Sequence, residues 1–406
     1  MAYRGIGYLR KKLGQKRLRV KQRYAYYAMK NSVPDFNIST PPKLRNVMST
    51  IGWCAKSVDS IADRLVFREF ANDNLALNEI FVMNNSDVLF DSAILGALIS
   101  SCSFIYIAQS ENKTPRLQVI NGDDATGVID TTTGLLTEGY AVLKRDDNAL
   151  NPVIEAYFTA EETVILDKAN GIDVYPNPAP YPLLVPIIYR PDANRPFGRS
   201  RISRACMSIM RSAARTIKRS EIAAEFFSFP QKWITGLDPD IEIIDKWQAA
   251  MSAMFTLTKT NTRDGTEPKF GQFTQQSMQP HTDQLRMFAA LFAAETGLTL
   301  DDLGFATDNP SSQEAIKASH ETLRLYAKKA QRNFGTGFLN TGYLAACVRD
   351  DFEYKRSQLY RTIPKWEPVF EPDAAMLSSI GDGAIKLNQA VPGYLDSDTL
   401  RDITGI

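Results

Sequence analysis

The chain has 406 residues, more than one ordinary hydrophobic core holds, which predicts two or three subdomains. Hydrophobic residues make up 44% and charged residues 23%, a balance typical of a globular protein. A net charge of +1 excludes a whole-molecule attraction to nucleic acid, so any such attraction must be local. Because no apolar run approaches the ~20 residues that span a bilayer and the basic N-terminus lacks a signal-peptide core, we expect the protein to stay where it is translated.

Motifs for catalysis or metal binding are missing from the sequence. There is no Walker A loop, GxGxxG, HExxH or GxSxG, and the only histidines, His281 and His320, are far apart in the chain. Four scattered cysteines without a CxxC pair indicate reduced core thiols. The acidic pairs Asp123-Asp124, Asp301-Asp302 and Asp350-Asp351 could hold Mg²⁺ in principle, but such pairs are more often solvated turn residues. We therefore predict no enzyme activity, no cofactor and no metal.

The N-terminal thirty residues carry ten cations interleaved with five tyrosines. This pattern favours an exposed helix with tyrosines packed beneath it, while binding of a phosphate backbone stays open.

Further along, an amphipathic helix is predicted over 43–65, a strand over 66–70, and helices over 73–84 and 87–101, the last of them apolar and buried.

Short β runs broken by turn residues characterise the stretch from Cys102 to Tyr189. Turn residues stand at Asn121-Gly122, Asp146-Asp147-Asn148 and Asn170-Gly171. Strands are predicted over 103–108, 116–120, 126–129, 137–143, 154–158, 162–166 and 184–189. A cluster of prolines at the end of this stretch marks a boundary. Residues 1–195 are therefore predicted to form one α+β domain.

One long helix dominates the middle of the chain. Neither Gly nor Pro interrupts the sequence between Ser200, the predicted N-cap, and Pro230. At about 100° per residue, apolar side chains fall on one face: Ile202, Cys206, Ile209, Met210, Ala213, Ile217, Ala224 and Phe227. Cations gather on the opposite side: Arg201, Arg204, Arg211, Arg215, Lys218 and Arg219. Glu221 and Glu225 follow. The apolar face packs, and the charged face can meet solvent, a neighbouring subunit or a polyanion.

After this helix, residues 230–280 suggest a small mixed unit. It combines a strand over 232–235, a helix at about 240–254, and β runs over 255–259 and 268–273. A second amphipathic helix is predicted over 283–296, followed by a segment to Pro310 that cannot be helical throughout. A long helix then runs to about Asp350, with a kink at Gly335 and Gly337. Residues 372–406 predict two short helices on either side of Val391-Pro392-Gly393.

Two segments of the sequence resemble a known family. The stretch PFGRSRISRACMSIMRSAARTIKRSEIAAEFFSFPQKW, from Pro196 to Trp233, resembles the signature of phage portal proteins of long-tailed, siphovirus-type double-stranded DNA phages. A second stretch, from Thr296 to Ile316, is similar to the family's "G-(I/L)-P-x-x-x-L-G…NP-S-S-A-E-A-I" pattern. It departs from that pattern at Thr299, where the family commonly has Pro, and at Gln313, where it commonly has Ala. The resemblance extends from about residue 20 to the C-terminus.

The resemblance implies an α+β portal fold: an α/β wing, two stem helices flanking a small α/β clip, a long kinked helix and a short helical crown. In this sequence the parts correspond to the wing at 1–195, the first stem helix at 196–229, the clip at 230–280, the second stem helix at 281–297, the tunnel loop at 298–310, the long kinked helix and wing return at 311–371, and the crown at 372–406.

The same resemblance implies a function. Portals are homo-oligomeric rings, dodecameric in virions, at one capsid vertex, through which double-stranded DNA enters during packaging and leaves during ejection. The implied partners are DNA without sequence specificity, the terminase large subunit, a head-tail adaptor protein, and the major capsid and scaffolding proteins. The expected location is the portal vertex of the virion, after synthesis in the host bacterial cytoplasm, with no membrane involved.

Candidate residues for the DNA tunnel come from the tunnel loop: Leu298, Thr299, Leu300, Asp301 and Asp302. The cations Arg204, Arg211, Arg215 and Lys218 could face the lumen or the Glu221 and Glu225 of an adjacent subunit. Because a ring needs contacts between subunits, we expect the interface to take at least half of these arginines. Two other classes stay open: a monomeric adaptor that binds nucleic acid or protein through its basic N-terminus, and a metal-dependent nuclease that uses the carboxylate pairs.

Overall fold

The computed structural model describes residues 3–34, 48–109, 114–148, 150–228, 232–235, 269–274, 277–305, 318–370 and 374–404. The chain divides into two compact units. The large unit comprises residues 1–31, 52–207 and 293–406, and the small unit comprises 32–51 and 208–292. The chain is 48% helix and 21% strand, which agrees with the predicted α+β class. No helix within the described ranges is long and apolar enough to cross a membrane.

The helices and strands of the described residues are numbered in chain order. The helices are α1 (Ile6–Tyr27), α2 (Trp53–Ala62), α3 (Leu77–Val82), α4 (Ser86–Ser100), α5 (Arg204–Ser228), α6 (Gln279–Thr296), α7 (Glu321–Asp350), α8 (Ala374–Ala390) and α9 (Ser397–Thr404). The strands are β1 (Phe67–Ala71), β2 (Cys102–Ala108), β3 (Arg116–Ile120), β4 (Ala125–Ile129), β5 (Leu136–Arg145), β6 (Pro152–Phe158), β7 (Glu162–Asp167), β8 (Gly171–Pro176), β9 (Leu184–Ile188), β10 (Lys232–Thr235), β11 (Lys269–Gln272) and β12 (Ile363–Trp366).

Three antiparallel sheets organise the large unit. Strands β4 to β8 form a five-stranded meander, β2 lies between β3 and β9, and β1 pairs with β12. Aspartates hold the hairpin turns: Asp130, Asp146 and Asp167 each accept a backbone N–H from a residue two to four positions later. These backbone bonds hold the pKa values of Asp130 and Asp167 below the usual range. The turn chemistry thus accounts for the strand register.

A buried carboxylate attaches α1 to the five-stranded meander. Glu138 of β5 accepts the backbone N–H groups of Arg4 and Gly5, each at 3.1 Å, and the Tyr157 hydroxyl at 3.0 Å. A negative charge at a helix N-terminus satisfies orphan N–H groups and complements the helix dipole. Below it, Leu9 packs in a cluster that includes the apolar face of β5.

Several cations of α1 bind groups of the large unit itself. Arg10 pairs with Glu155, Lys12 donates to the Gly127 carbonyl at 2.7 Å, and Lys16 donates to the Ala125 carbonyl at 3.2 Å. Arg23 donates to the Ser100 carbonyl at 3.0 Å. Burial lowers the pKa values of Lys12 and Arg23. An exposed helix resting on the sheet therefore explains this basic segment without a phosphate ligand.

An aromatic cluster forms the core between α4, α7 and the β1–β12 pair. The Phe90 and Phe338 ring centroids lie 4.6 Å apart, and Phe67 meets Trp366 edge-on at 5.2 Å. Offset and edge-on ring pairs contribute more than the burial of their area alone. As predicted, α4 is buried along most of its length.

Glycines let α7 approach its neighbours closely. A Cβ on Gly335 would lie 3.0 Å from Pro364, and one on Gly337 would lie 2.8 Å from the Ile187 Cδ1 atom. The helix is unbroken from Glu321 to Asp350. The kink at Gly335 and Gly337 stays a prediction, and close packing against β12 and β9 is a second reason for glycine at these positions.

Several elements differ from the prediction. Within the predicted helix at 43–65, α2 begins only at Trp53, residues 48–52 are not helical, and 43–47 lie outside the described residues. Strands β8 and β12 were not predicted. Strand β8 is exposed throughout, so it lacks the alternating pattern of a half-buried strand.

In the small unit, β10 and β11 pair as a two-stranded antiparallel sheet. The predicted helix at 240–254 and the β run at 255–259 lie outside the described residues. At the C-terminal end of the large unit, α8 and α9 lie on either side of 391–393, as predicted.

Replacing the carboxylate that caps α1 should destabilise the large unit. We expect Glu138→Gln to lower the free energy of unfolding by about 1–3 kcal/mol, because an amide replaces a charged acceptor of two buried N–H groups. Urea unfolding followed by circular dichroism measures this change. Glu162→Gln, at an exposed side chain of β7, is the control. Equal shifts for the two variants would refute the capping role.

Candidate functional site

The signature segment places its helix later than predicted. Helix α5 begins at Arg204, and its N-cap is Ser203, whose hydroxyl oxygen accepts the Cys206 N–H at 3.1 Å. Ser200, the predicted N-cap, instead donates its hydroxyl to the Ile99 carbonyl at 2.6 Å. The prediction of Ser200 as the cap was wrong because Pro196 to Ser203 packs as a turn against the end of α4.

Helices α5 and α6 are joined by side-chain hydrogen bonds. In the large unit, Ser203 donates to the Glu295 carboxylate at 2.8 Å, and in the small unit the buried Thr216 donates to Gln284 at 2.9 Å. Most of the predicted apolar stripe is buried or half-buried, and Ala224 is exposed. The two amphipathic helices recognised in the sequence therefore lie side by side.

The predicted cationic face of α5 is not uniform. Arg204 is exposed, Arg211 and Arg215 are half-buried, and Lys218 is buried. Both glutamates, Glu221 and Glu225, are exposed, and Glu221 accepts a hydrogen bond from Ser49 at 3.0 Å. Whether these groups face a lumen or an adjacent subunit stays a prediction.

Arg201 does not belong to that face. It precedes α5, and only 6% of its surface is exposed. Its guanidinium donates to the Ser57 carbonyl at 3.0 Å and to the Thr296 carbonyl, and it lies 5.4 Å from the centroid of the Tyr326 ring. Burial lowers its pKa. This one side chain therefore links the C-terminus of α6 to α2 and α7.

The segment after α6 folds as a compact turn. Leu298 is 6% exposed and packs inside the large unit, and a 3-10 turn at Asp301–Leu303 follows. Asp301 is exposed, whereas Thr299, Leu300 and Asp302 are half-buried. Residues 306–310 of the predicted tunnel loop lie outside the described residues. Of the two carboxylates in the described part of the loop, Asp301 is therefore the one that is open to solvent.

Thr299 and Asp302 form a reciprocal capping box. The Thr299 N–H and hydroxyl both donate to the Asp302 carboxylate at 2.9 Å, and the Asp302 N–H donates back to the Thr299 hydroxyl at 3.1 Å. The His320 Nδ1 atom lies 3.7 Å from the same carboxylate. Proline at position 299 would lack the N–H donor. Thr299, which departs from the family pattern, therefore stabilises the turn through its hydrogen bonds with Asp302.

One carboxylate of each acidic pair is engaged in the fold, and Asp302 of the loop pair binds Thr299. Asp124 pairs with Arg145, and Asp350 pairs with Arg349, which holds the pKa of Asp350 below its usual range. Burial and the neighbouring Asp124 raise the pKa of Asp123. Among the residues that the structure describes, no group of three or more His, Cys, Asp or Glu side chains could hold a metal ion.

Comparison with known families assigns the chain. The family model described as phage portal protein, SPP1 Gp6-like, matches residues 7–376. The chain belongs to the phage portal protein family.

Similar portal proteins come from two mycobacteriophages. The portal protein of Mycobacterium phage D29 is 25% identical over 399 residues, which is 94% of this chain and 81% of the relative. The portal protein of Mycobacterium phage L5 is 24% identical over 331 residues, 77% of this chain and 67% of the relative. A solved structure of the neck of a native GTA particle, computed with C12 symmetry, is 14% identical, with 95% of this chain and 99% of that chain covered and a TM-score of 0.48.

Family membership supplies the role of the chain. Portal proteins are structural components of phage particles, and the chain takes part in the conduit for double-stranded DNA during genome packaging and ejection. The nearly neutral net charge agrees with a passage that holds DNA only through local contacts.

The glycine of the portal signature should be irreplaceable. Gly198 has φ +72°, and a Cβ there would lie 2.1 Å from the Tyr189 carbonyl oxygen. We expect Gly198→Ala to cost about 1–3 kcal/mol more than Gly134→Ala, because Gly134 has φ +75° but no atom within 4 Å of an added Cβ. Thermal unfolding of both variants checks this, and similar melting shifts would show that the steric contact is unimportant.

Proposed function

We propose that copies of this chain close into a ring, a dodecamer in the virion, at one capsid vertex, with duplex DNA passing through the centre. The observation that carries this proposal is the portal family match over residues 7–376. The paired helices α5 and α6 support it, because they provide extended sides that neighbouring copies can share.

The parts of the portal fold are assigned to this chain as follows. Residues 1–195 form the wing, α5 and α6 are the two stem helices, and residues 230–280 form the clip between them. The compact turn after α6 begins the tunnel loop, α7 is the long helix, and α8 and α9 form a reduced crown. The order of the described elements supports this assignment.

Asp301 is the loop carboxylate proposed to face the DNA. It is exposed, whereas Asp302 is bound to Thr299 and Leu298 is buried. Ring symmetry would multiply Asp301 into a circle of carboxylates. Like charges would repel the phosphate backbone, so DNA would slide without a strong or base-specific contact.

The sides of the stem helices are proposed to join neighbouring copies. On α6, Met287 and Leu291 are each 50% exposed and lie one turn apart, and the exposed Ala290, three residues after Met287, is on the same side of the helix. An apolar stripe of this kind is suited to burial against another subunit. The exposed Arg204, Glu221 and Glu225 of α5 are suited to ion pairs across the same junction.

The proposed partners are those of a passive conduit. They are double-stranded DNA, the terminase large subunit, a head-tail adaptor protein, and the major capsid and scaffolding proteins. Because the sequence has no nucleotide-binding motif, we assign ATP hydrolysis to the terminase. No cofactor is required for this role.

The ring itself is open to direct observation. Negative-stain images of the purified full-length chain should show annuli with a central hole, and native mass spectrometry should give the mass of a closed ring of identical subunits. A monomer at every concentration would overturn the proposal and favour the adaptor alternative.

The apolar stripe of α6 should be required for ring closure. We expect the double variant Met287→Glu/Leu291→Glu to remain folded but to lose rings, because two carboxylates would be buried without partners at the junction. Leu18→Glu, at an exposed leucine of α1, is the matched control and should keep its rings. Intact rings from the double variant would exclude the stripe from the interface.

A further inference from the structure

The large unit carries an acidic face whose carboxylates make no ion pair with a cation in the described part of the chain. Asp63 at the C-cap of α2 and Asp87 and Asp91 of α4 are exposed and form this acidic face, with Val88, 58% exposed, beside them. Burial and the charges of Asp87 and Asp63 raise the pKa of Asp91. Asp87 and Asp91 lie one helical turn apart on α4, and α4 packs against α2, whose C-cap is Asp63, so the three carboxylates lie on neighbouring elements.

The cations nearest in sequence to the acidic face are engaged elsewhere. Arg64 donates to the Ser60 carbonyl and lies 5.2 Å from the Phe370 ring centroid, and Arg68 lies 3.5 Å from the Glu367 carboxylate. None of the three aspartates makes an ion pair with another residue that the structure describes. Because no ion pair offsets this repulsion among the described residues, positive charge brought by another molecule would relieve it.

A basic face, made of three cations and one exposed leucine, lies on α7. Lys328, Lys329 and Arg332 are exposed and, at helical spacing, surround the outward side of the helix together with Leu325, which is 54% exposed. The one acid on this side, Glu321, is bound to Arg324. Within the described part of the chain, the three cations make no ion pair.

We propose that the acidic face of one copy binds the basic face of the next copy in the ring. This inference rests on the proposed ring function. Both faces belong to the large unit, and each combines three like charges with one exposed aliphatic side chain. A closed ring needs two different, complementary surfaces on every subunit, and these two faces are complementary in sign.

The charge arrangement also specifies the direction of assembly. Two acidic faces repel each other, and so do two basic faces, so symmetric dimers through either face are disfavoured. Head-to-tail contact brings opposite charges together, and such contact can continue until the ring closes. The aliphatic side chains at the two faces would be buried in this contact.

Two complementary charge-reversal variants test the contact. One is Asp63→Lys/Asp91→Lys, and the other is Lys328→Glu/Lys329→Glu. Asp63 stands at a helix C-terminus, where a cation is favoured, and Glu and Lys have similar helix propensities, so both variants should fold. Unchanged circular dichroism and melting temperature verify this.

Each variant alone should lose rings, with the ring fraction in native mass spectra falling by at least about tenfold, because like charges then meet at every junction. An equimolar mixture should regain rings in which the two variants alternate, since every junction again joins opposite charges. The control Lys11→Glu/Lys21→Glu, at exposed lysines of α1, should leave the rings unchanged.

The outcomes separate this inference from the ring itself. Normal rings from both single variants, or loss that the mixture does not restore, would overturn the pairing of the two faces while the ring stands. Normal rings that package less DNA when Lys328 and Lys329 are reversed would also overturn it and assign the basic face to DNA. Absence of rings in the unaltered chain would remove both proposals together.

Discussion

One buried guanidinium holds together the elements on which the candidate conduit depends. Arg201 has no carboxylate partner among the described residues, and its charge is compensated by the carbonyls of Ser57 and Thr296 and by the Tyr326 ring. Burying a charge is costly unless it is hydrogen-bonded, and removing its acceptors would leave that cost uncompensated. The end of α6 is therefore held firmly against α2 and α7.

The chain that follows α6 is also held in place by local contacts. Its first residue, Gly297, has φ +69°, and a Cβ there would lie 2.8 Å from Thr322, so the chain leaves α6 in a conformation that glycine favours. Leu298 then inserts into the core, and the Thr299–Asp302 box closes the turn. Residues anchored in this way present Asp301 at a defined position, which matters in a ring where every displacement is repeated in each subunit.

Local chemistry made much of the fold predictable, and long-range contacts account for the rest. The hairpin of β5 and β6 followed from turn residues such as Asp146, whose role is set by neighbours a few positions away. Strand β12 could not be predicted, because its partner β1 lies almost three hundred positions earlier. Arg201 was placed on the helical charge stripe because periodicity does not reveal where a helix begins. The T-x-x-D spacing of Thr299 and Asp302 was a readable capping signal that the sequence analysis passed over.

Charge totals were the least informative part of the sequence. The N-terminal cations form the densest basic segment, yet Lys12, Lys16 and Arg23 bind carbonyl oxygens of their own unit. The three cations of the basic face on α7 are fewer, but they are exposed and make no ion pair among the described residues. The net charge of +1 adds together the N-terminal cations, the basic face on α7, the acidic face and all other charges, so it does not distinguish them. The fold determines which charges are paired within the chain. It therefore also determines which charges remain available to another subunit.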